Sequence, residues 1–225
     1  MSTSTIARRA ASAHPLISLD IKALENRDLV SIADLEPSEV VTILELAGLV
    51  KARPAEFRTA LSGRQMAMFF EKPSLRTRLT FEAGMAGLGG TSIFVDQTAS
   101  PLGARESLSD IAHNLERWVD VVVLRTFEHS TVTGMAEHAM IPVINGLSDV
   151  EHPCQALADF FTLKEKFDDL RGLRLAYVGD GNNVAHSLLL TAACLGSRIT
   201  IACPPGYEPK PEAVGRALVD RKSVV

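Results

Sequence analysis

Long hydrophobic runs are missing from this sequence: the longest unbroken run, Met66–Phe70, has five residues. A helix that crosses a bilayer needs about 20 apolar residues, so we expect neither a membrane-spanning segment nor a membrane partner. Cysteine is also scarce. The three cysteines, Cys154, Cys194 and Cys203, are too few and too scattered for a disulfide framework or a zinc site, and the expected location is the reducing cytoplasm.

An excess of positive charge is missing as well, since 23 Lys and Arg residues face 27 Asp and Glu residues, for a formal net charge of −4. This balance excludes a generally basic nucleic-acid binder, although it permits a local basic site. No His, Cys, Asp and Glu residues stand at metal-ligand spacing, and no Gly-x-Ser-x-Gly elbow or Cys/His pair suggests a covalent nucleophile. We therefore expect no metal, no cofactor and no nucleic-acid partner.

Short apolar runs alternate with helical stretches along the chain. Such alternation predicts an α/β fold in which parallel sheets are flanked by helices on both faces. Ligands bind such sheets at the carboxyl ends of the strands. The predicted strands are Met66–Phe70, Thr91–Asp96, Val119–Leu124, Ile141–Ile144, Leu173–Val178 and Arg198–Ala202, and the predicted helices are Ser38–Lys51, Leu75–Leu88, Arg105–Trp118, Thr131–Met140, Pro153–Phe167 and Asn183–Leu195.

A charged stretch, Lys164–Arg174, divides the chain into two lobes. We expect a tail at residues 1–20, a first domain at 21–165, a second domain at 166–219 and a non-native tail at 220–225. The first lobe has four predicted strands and is complete, whereas the second lobe has two. Because a two-stranded parallel sheet is too small to be stable by itself, we expect the second lobe to be incomplete.

The stretch Glu71–Arg78 follows a predicted strand and opens a predicted helix. The free amide groups and the dipole of a helix start favour an anion. Ser74 and Thr77 add hydroxyl donors, and Arg76 adds a planar guanidinium suited to phosphate oxygens. The pattern indicates a phosphate site. The alternative is a charged helix cap, because Ser and Thr cap helices in any case.

Two further strand ends carry polar residues. His152 and Gln155 stand three residues apart at a predicted helix start, so they share a face and could together donate hydrogen bonds to one carbonyl oxygen. A single histidine at a helix end is nevertheless more often a cap or a packed residue. Arg125 ends a strand and faces the ligand edge of the sheet, or it simply marks the exit of the chain to solvent.

The stretch Gly179–Asn183, with the sequence Gly-Asp-Gly-Asn-Asn, imitates a dinucleotide fingerprint between a strand and a helix. The third glycine of that fingerprint would fall at Val184, and no acidic residue ends the next strand. A nucleotide-binding Rossmann protein is therefore disfavoured. Asn183 is either an ordinary helix cap or a ligand contact.

Four strings resemble the aspartate/ornithine carbamoyltransferase family. They are Ser-Leu-Arg-Thr-Arg at 74–78, His-Pro-Cys-Gln at 152–155, Gly-Leu-Ser-Asp at 146–149 and Gly-Asp-Gly-Asn-Asn at 179–183. The last two strings are more similar to its ornithine branch than to its aspartate branch. The resemblance implies a first domain that binds carbamoyl phosphate and a partial second domain that binds L-ornithine. It also implies a homotrimer that transfers a carbamoyl group to the δ-amine of ornithine, giving citrulline and phosphate.

The same resemblance implies the site residues, position by position. Arg125 and His152 would be the catalytic pair, and Asn183 would touch ornithine. Leu75 would contribute its backbone amide, although a Thr is common at this position of the family pattern. The residues implied for carbamoyl phosphate are Ser74, Leu75, Arg76, Thr77, Arg125, His152 and Gln155.

Other parts of the family pattern do not occur here. Pro101 stands near where some members place a Gln from the neighbouring subunit. The Ser-Met pair that grips the amino acid and the His-Cys-Leu-Pro motif at the reaction centre are missing, and Asp220–Val225 resemble a translated sequencing adapter. We therefore expect a truncated reading frame that is inactive by itself.

Two alternatives to ornithine carbamoyl transfer stay open. Another carbamoyltransferase of the family would act on aspartate, putrescine or an acylated ornithine. A non-catalytic module that binds a phosphate anion would keep Ser74, Arg76 and Thr77 but would not need His152 or Gln155. The sequence also leaves open whether the reaction serves arginine synthesis or arginine breakdown, because both directions use the same site.

Overall fold

Six β-strands alternate with seven α-helices in residues 19–97 and 101–221, the part of the chain that the computed structural model describes. Residues 1–18 and 222–225, which hold most of the two expected tails, lie outside it. No helix in the described part is long and apolar enough to cross a membrane. The elements are α1 (Pro37–Ala52), β1 (Gln65–Phe70), α2 (Leu75–Gly87), β2 (Thr91–Asp96), α3 (Leu108–Leu115), β3 (Val121–Arg125), α4 (His129–His138), β4 (Val143–Leu147), α5 (Pro153–Phe167), β5 (Arg174–Val178), α6 (Asn183–Leu195), β6 (Arg198–Ala202) and α7 (Pro211–Arg221).

The first lobe contains a four-stranded sheet in which all neighbouring strands run parallel, in the order β2-β1-β3-β4. Met66, Met68 and Phe70 of β1 pack on the side of α2, whereas Ala67 and Phe69 pack with α3 and α4. The central strand is thus buried on both faces, as expected when helices cover both sides of a parallel sheet. The predicted α/β architecture is confirmed, and the carboxyl ends of the four strands lie at one edge.

The second lobe contains β5 and β6, which pair in parallel. Ile199 of β6 is buried against Leu189 of α6, and the same apolar cluster includes Leu44 of α1 and Phe160 of α5. The helices α1 and α5 therefore join the two lobes through one shared core. On the other face of this small sheet Val178 is exposed. The prediction of two strands in the second lobe is confirmed for the described residues.

Two helix predictions differ from the structure. The helix expected at Arg105–Trp118 is shorter, because the side chain of Ser107 caps α3 by accepting a hydrogen bond from the amide of Asp110. The helix α7 has no counterpart among the helices that the sequence pattern predicts. It begins at Pro211, a position where proline is tolerated because the first-turn amides have no intrahelical acceptor.

Candidate active site

The loop after β1 is tied to the carboxyl end of the neighbouring strand β3. Phe70 and Arg125, the last residues of the two strands, are paired in register. The amide of Glu71 donates to the carbonyl of Arg125 at 2.8 Å, and Nε of Arg125 donates to the carbonyl of Lys72 at 3.2 Å. The structure thus brings Arg125 to the residues that directly precede the predicted phosphate loop.

Ser74 caps the start of α2 from an extended backbone. Its Oγ accepts a hydrogen bond from the amide of Thr77 at 3.4 Å and donates to Oγ1 of Thr77 at 2.8 Å. The two hydroxyls therefore form a helix cap, while the amides of Leu75 and Arg76 belong to the first turn and have no intrahelical acceptor. The first turn contains no acidic residue, so the positive end of the helix dipole is not offset there and the position suits an anion.

The two arginines of this loop have different surroundings. Arg78 donates from Nε to Oε1 of Glu82 at 2.9 Å, and its guanidinium lies 3.8 Å from the centre of the Phe94 ring. These contacts fix α2 against β2. Arg76 is exposed, and no hydrogen bond or ion pair to another described residue holds its guanidinium. Arg76 is therefore the arginine of this loop that remains available to a ligand.

His152 lies at the start of α5, with its ring nitrogen Nδ1 buried and without a hydrogen-bond partner among the described residues. Burial and, to a smaller extent, the positive charge of Arg125 lower the pKa of His152 from 6.5 to about 4. Burial also lowers the pKa of Arg125, which stays charged because arginine does not deprotonate in proteins. At neutral pH a neutral imidazole, able to donate one hydrogen bond, thus lies within the field of a guanidinium.

Gln155 stands on the first turn of α5 and is exposed. Its Nε2 donates to Oδ1 of Asp159, one turn further, at 2.9 Å. Burial raises the pKa of Asp159, and the hydrogen bond from Gln155 opposes that rise. The structure places Gln155 on the same helix start as His152, but its amide nitrogen is held by its own helix.

Asn183 does not cap α6. The cap is Asn182, whose Oδ1 accepts from the amide of Val184 at 3.0 Å. Nδ2 of Asn183 instead donates to the carbonyl of Ser148 at 2.6 Å and thereby joins the second lobe to the loop that leads from β4 to His152. Asn183 is thus brought to the rim of the same sheet edge.

Gly181 is required by a close approach between two loops. A Cβ at this position would lie 2.2 Å from the backbone nitrogen of Pro209, and the Gly181 amide donates to the carbonyl of Tyr207 at 2.8 Å. The similarity of this loop to a dinucleotide fingerprint therefore has a packing explanation.

Sequence reasoning missed the buried polar residues that hold the loop before α5. Glu151 is 3 % exposed, and its carboxylate accepts hydrogen bonds from Ser31, from the amide of Ile32 and from Ser187. The only signal in the sequence is an acidic residue directly before His152. That signal is weak, because an acidic residue at this position is usually solvated.

The assembled edge combines a free helix start, the exposed guanidinium of Arg76, the partly buried guanidinium of Arg125 and the neutral imidazole of His152. In residues 19–97 and 101–221 no group of three or more His, Cys, Asp or Glu side chains could hold a metal ion. The positive groups suit a phosphate, and fixed hydrogen-bond donors beside it suit a carbonyl oxygen on which negative charge develops.

Comparison with known proteins agrees with this arrangement. Residues 27–165 match the family model of the aspartate/ornithine carbamoyltransferase carbamoyl-P binding domain. Residues 171–223 match the model of the aspartate/ornithine carbamoyltransferase Asp/Orn binding domain. The two matches follow each other along the chain with the same division into lobes that the structure has.

Curated relatives and solved structures lead to the same family. Ornithine carbamoyltransferases from Vibrio sp. (strain 2693) and Shewanella oneidensis are 46% and 49% identical over 85% and 81% of this chain. The chain spans 64% and 61% of the length of these two relatives. The ornithine carbamoyltransferase structure from Thermus thermophilus superposes with a TM-score of 0.79 at 47% identity and covers 84% of this chain and 66% of its own. The one from Pyrococcus furiosus superposes with a TM-score of 0.83 at 43% identity and covers 85% of this chain and 62% of its own. The chain belongs to the aspartate/ornithine carbamoyltransferase family.

Proposed function

We propose that this chain forms the carbamoyl-phosphate site of an enzyme that transfers the carbamoyl group to the δ-amine of L-ornithine, giving L-citrulline and phosphate. The observation that carries the proposal is the bond from Arg125 to the carbonyl of Lys72, which joins the β3 end to the loop before α2, together with the effect of Arg125 on His152. Curated relatives named ornithine carbamoyltransferase at 45–49% identity support the same activity.

In this proposal the phosphate of carbamoyl phosphate lies at the start of α2. The amide of Leu75 and the hydroxyl of Ser74 donate to its oxygens, and Arg76 adds a charged, forked donor. The bond from Ser74 to Thr77 keeps the two hydroxyls together before the ligand arrives, and the proton of Ser74 turns from Thr77 to the phosphate when the ligand binds. Pre-positioned donors cost little reorganisation when the phosphate departs with its extra negative charge.

The carbamoyl oxygen lies beside Arg125, His152 and Gln155, with Thr77 as a further donor. The neutral amine of the substrate attacks the carbonyl carbon, and negative charge grows first on the carbonyl oxygen. The C–O bond to the phosphate then breaks, and the proton lost by the amine leaves with the phosphate. A neutral His152 donates a hydrogen bond to the carbonyl oxygen. Because it is not an imidazolium, it does not protonate the attacking amine. The loss of one such donor typically costs ~10²–10³ in rate.

The amino-acid side of the proposal rests on Asn183, the rim residue joined to Ser148. We assign residues 21–165 to carbamoyl phosphate and residues 166–219 to the amino acid. A homotrimer in the cytoplasm, acting in arginine metabolism, completes the proposal, and the ornithine carbamoyltransferase names of the relatives support that metabolic assignment.

Binding of carbamoyl phosphate to the purified chain, measured by calorimetry, tests the phosphate assignment. We expect Arg76→Ala to abolish measurable binding, because it removes the exposed guanidinium at the helix start. Arg58→Ala is the matched control, since Arg58 is also exposed but lies before β1, and we expect it to bind like the parent chain. Equal binding by the parent and by Arg76→Ala would remove the phosphate assignment.

The identity of the acceptor is tested by product analysis. The chain is incubated with carbamoyl phosphate and, separately, with ornithine, aspartate, putrescine and acylated ornithine. Citrulline as the product supports the proposal. Any other carbamoylated product would identify the corresponding amine, and not ornithine, as the acceptor. Carbamoyl-phosphate binding without any product would confine the proposal for this chain by itself to the phosphate site.

A further inference from the structure

Glu151 is a buried carboxylate directly before His152 in the chain. Its Oε1 accepts from the hydroxyl of Ser31, and its Oε2 accepts from the amide of Ile32 at 3.2 Å and from the hydroxyl of Ser187 at 3.1 Å. These donors come from the segment before α1 and from α6. The carboxylate thus connects both lobes to the loop before α5.

Ser187 extends this connection to the backbone of His152. Its Oγ accepts a hydrogen bond from the amide of His152 at 2.9 Å while it donates to Glu151. A serine hydroxyl has one proton and two acceptor positions. Because Ser187 donates its hydroxyl proton to Glu151 in a hydrogen bond, a lone pair of Ser187 remains directed to the amide of His152.

The buried carboxyl group of Glu151 is surrounded by hydrogen-bond donors. Burial raises the pKa of Glu151, with the hydrogen bonds from Ser31, Ile32 and Ser187 and the charge of His129 acting in the opposite direction. Removing the carboxylate would leave the hydroxyls of Ser31 and Ser187 and the amide of Ile32 without this acceptor. Three donors, of which Ser187 is also the relay to His152, therefore fix the residue that precedes His152.

We propose that Glu151 is a positioning residue that holds His152 at the ligand edge through Ser187. Glu151 itself touches neither substrate nor reacting atoms in this proposal. The inference deepens the proposed carbamoyl transfer and rests on it for its functional consequence, because His152 is assigned there to the carbamoyl oxygen. The positional part stands on the hydrogen bonds that Glu151 accepts from Ser31 and Ser187 and on the one that Ser187 accepts from the amide of His152.

The test measures the titration of the His152 ring by NMR in the full chain, with the signal assigned by loss in His152→Asn. Glu151→Ala and Ser187→Ala each break the relay, so the loop relaxes, and we expect the pKa of His152 to move from about 4 toward 6.5. Glu151→Gln keeps an amide oxygen for Ile32 and Ser187 and should restore most of the original value. Ser187→Ala carries the test if Glu151→Ala does not fold.

Thr191→Val is the matched control. Thr191 is buried on the same helix as Ser187 and donates to its carbonyl at 2.7 Å, but it does not contact Glu151 or His152 through any of its described hydrogen bonds. We expect the titration of His152 to be unchanged in this variant. A similar shift in Thr191→Val would show a general loosening of α6 and would overturn the positional inference.

Calorimetric binding of carbamoyl phosphate separates the inference from the function on which it rests. We expect Glu151→Ala and Ser187→Ala to bind about tenfold or more weakly, as for a misplaced ligand group, and Glu151→Gln to bind nearly like the parent. An unchanged His152 titration in both alanine variants overturns the inference. If the parent chain does not bind carbamoyl phosphate but the titration shifts as expected, Glu151 positions His152 and the proposed function is wrong.

Discussion

The depressed pKa of His152 makes the stability of the protein depend on acid in a defined direction. The folded value is about 4, whereas the ordinary value is 6.5. Between these values the unfolded chain binds a proton that the folded chain does not bind. The contribution of His152 to the free energy of unfolding is therefore fully present above pH 6.5 and is lost as the pH falls toward 4.

The magnitude follows from the separation of the two values, which corresponds to at most about 3 kcal/mol. Because the imidazole is partly exposed, solvent screening reduces the effect, and we expect about 2 kcal/mol. The assay is urea unfolding of the parent chain and of His152→Gln at pH values from 7 to 4. The difference between the two free energies of unfolding isolates His152, since the other titrating groups are common to both proteins.

We expect the parent chain to lose about 2 kcal/mol relative to His152→Gln over this pH range. Two stability curves that stay parallel from pH 7 to pH 4 would refute the reasoning, because they would show that His152 titrates alike in the folded and unfolded chains. A parent that gains stability relative to the variant on acidification would show that the positive charge is favoured in the folded state, against the effect of Arg125.

Two packing predictions complete the set. Gly181→Ala should lower the free energy of unfolding by about 1–3 kcal/mol, because a Cβ would collide with Pro209. Gly215→Ala in α7 has open space around it and should raise the free energy of unfolding by about 0.5–1 kcal/mol. Equal effects of the two changes in thermal unfolding would contradict the close approach. Phe160→Ala should cost about 3–5 kcal/mol because this ring lies in the core that joins the lobes, whereas Phe167→Ala at the exposed end of the same helix should change stability by less than about 0.5 kcal/mol. Chemical denaturation that shows similar losses for both phenylalanines would place Phe160 outside the core.

Much of the fold could be predicted from local patterns. Short apolar runs such as Met66–Phe70 form parallel strands, and Ser74 caps α2. These features depend on near neighbours in the chain, namely on side-chain periodicity and on the hydrogen bonding of a cap. The helix α7, which begins at Pro211, is absent from the predicted elements.

The candidate site was only partly accessible to such reasoning. The sequence by itself determined which residues end or follow the strands, and parallel strands carry their ends to one edge, so Arg76, Arg125 and His152 were predicted to lie near one another. Only the tertiary structure decided that Arg125 binds the carbonyl of Lys72 and that Glu151 is buried. The physical reason is that burial and the electric field of a neighbouring charge depend on packing between residues far apart in the chain, which local sequence patterns do not encode.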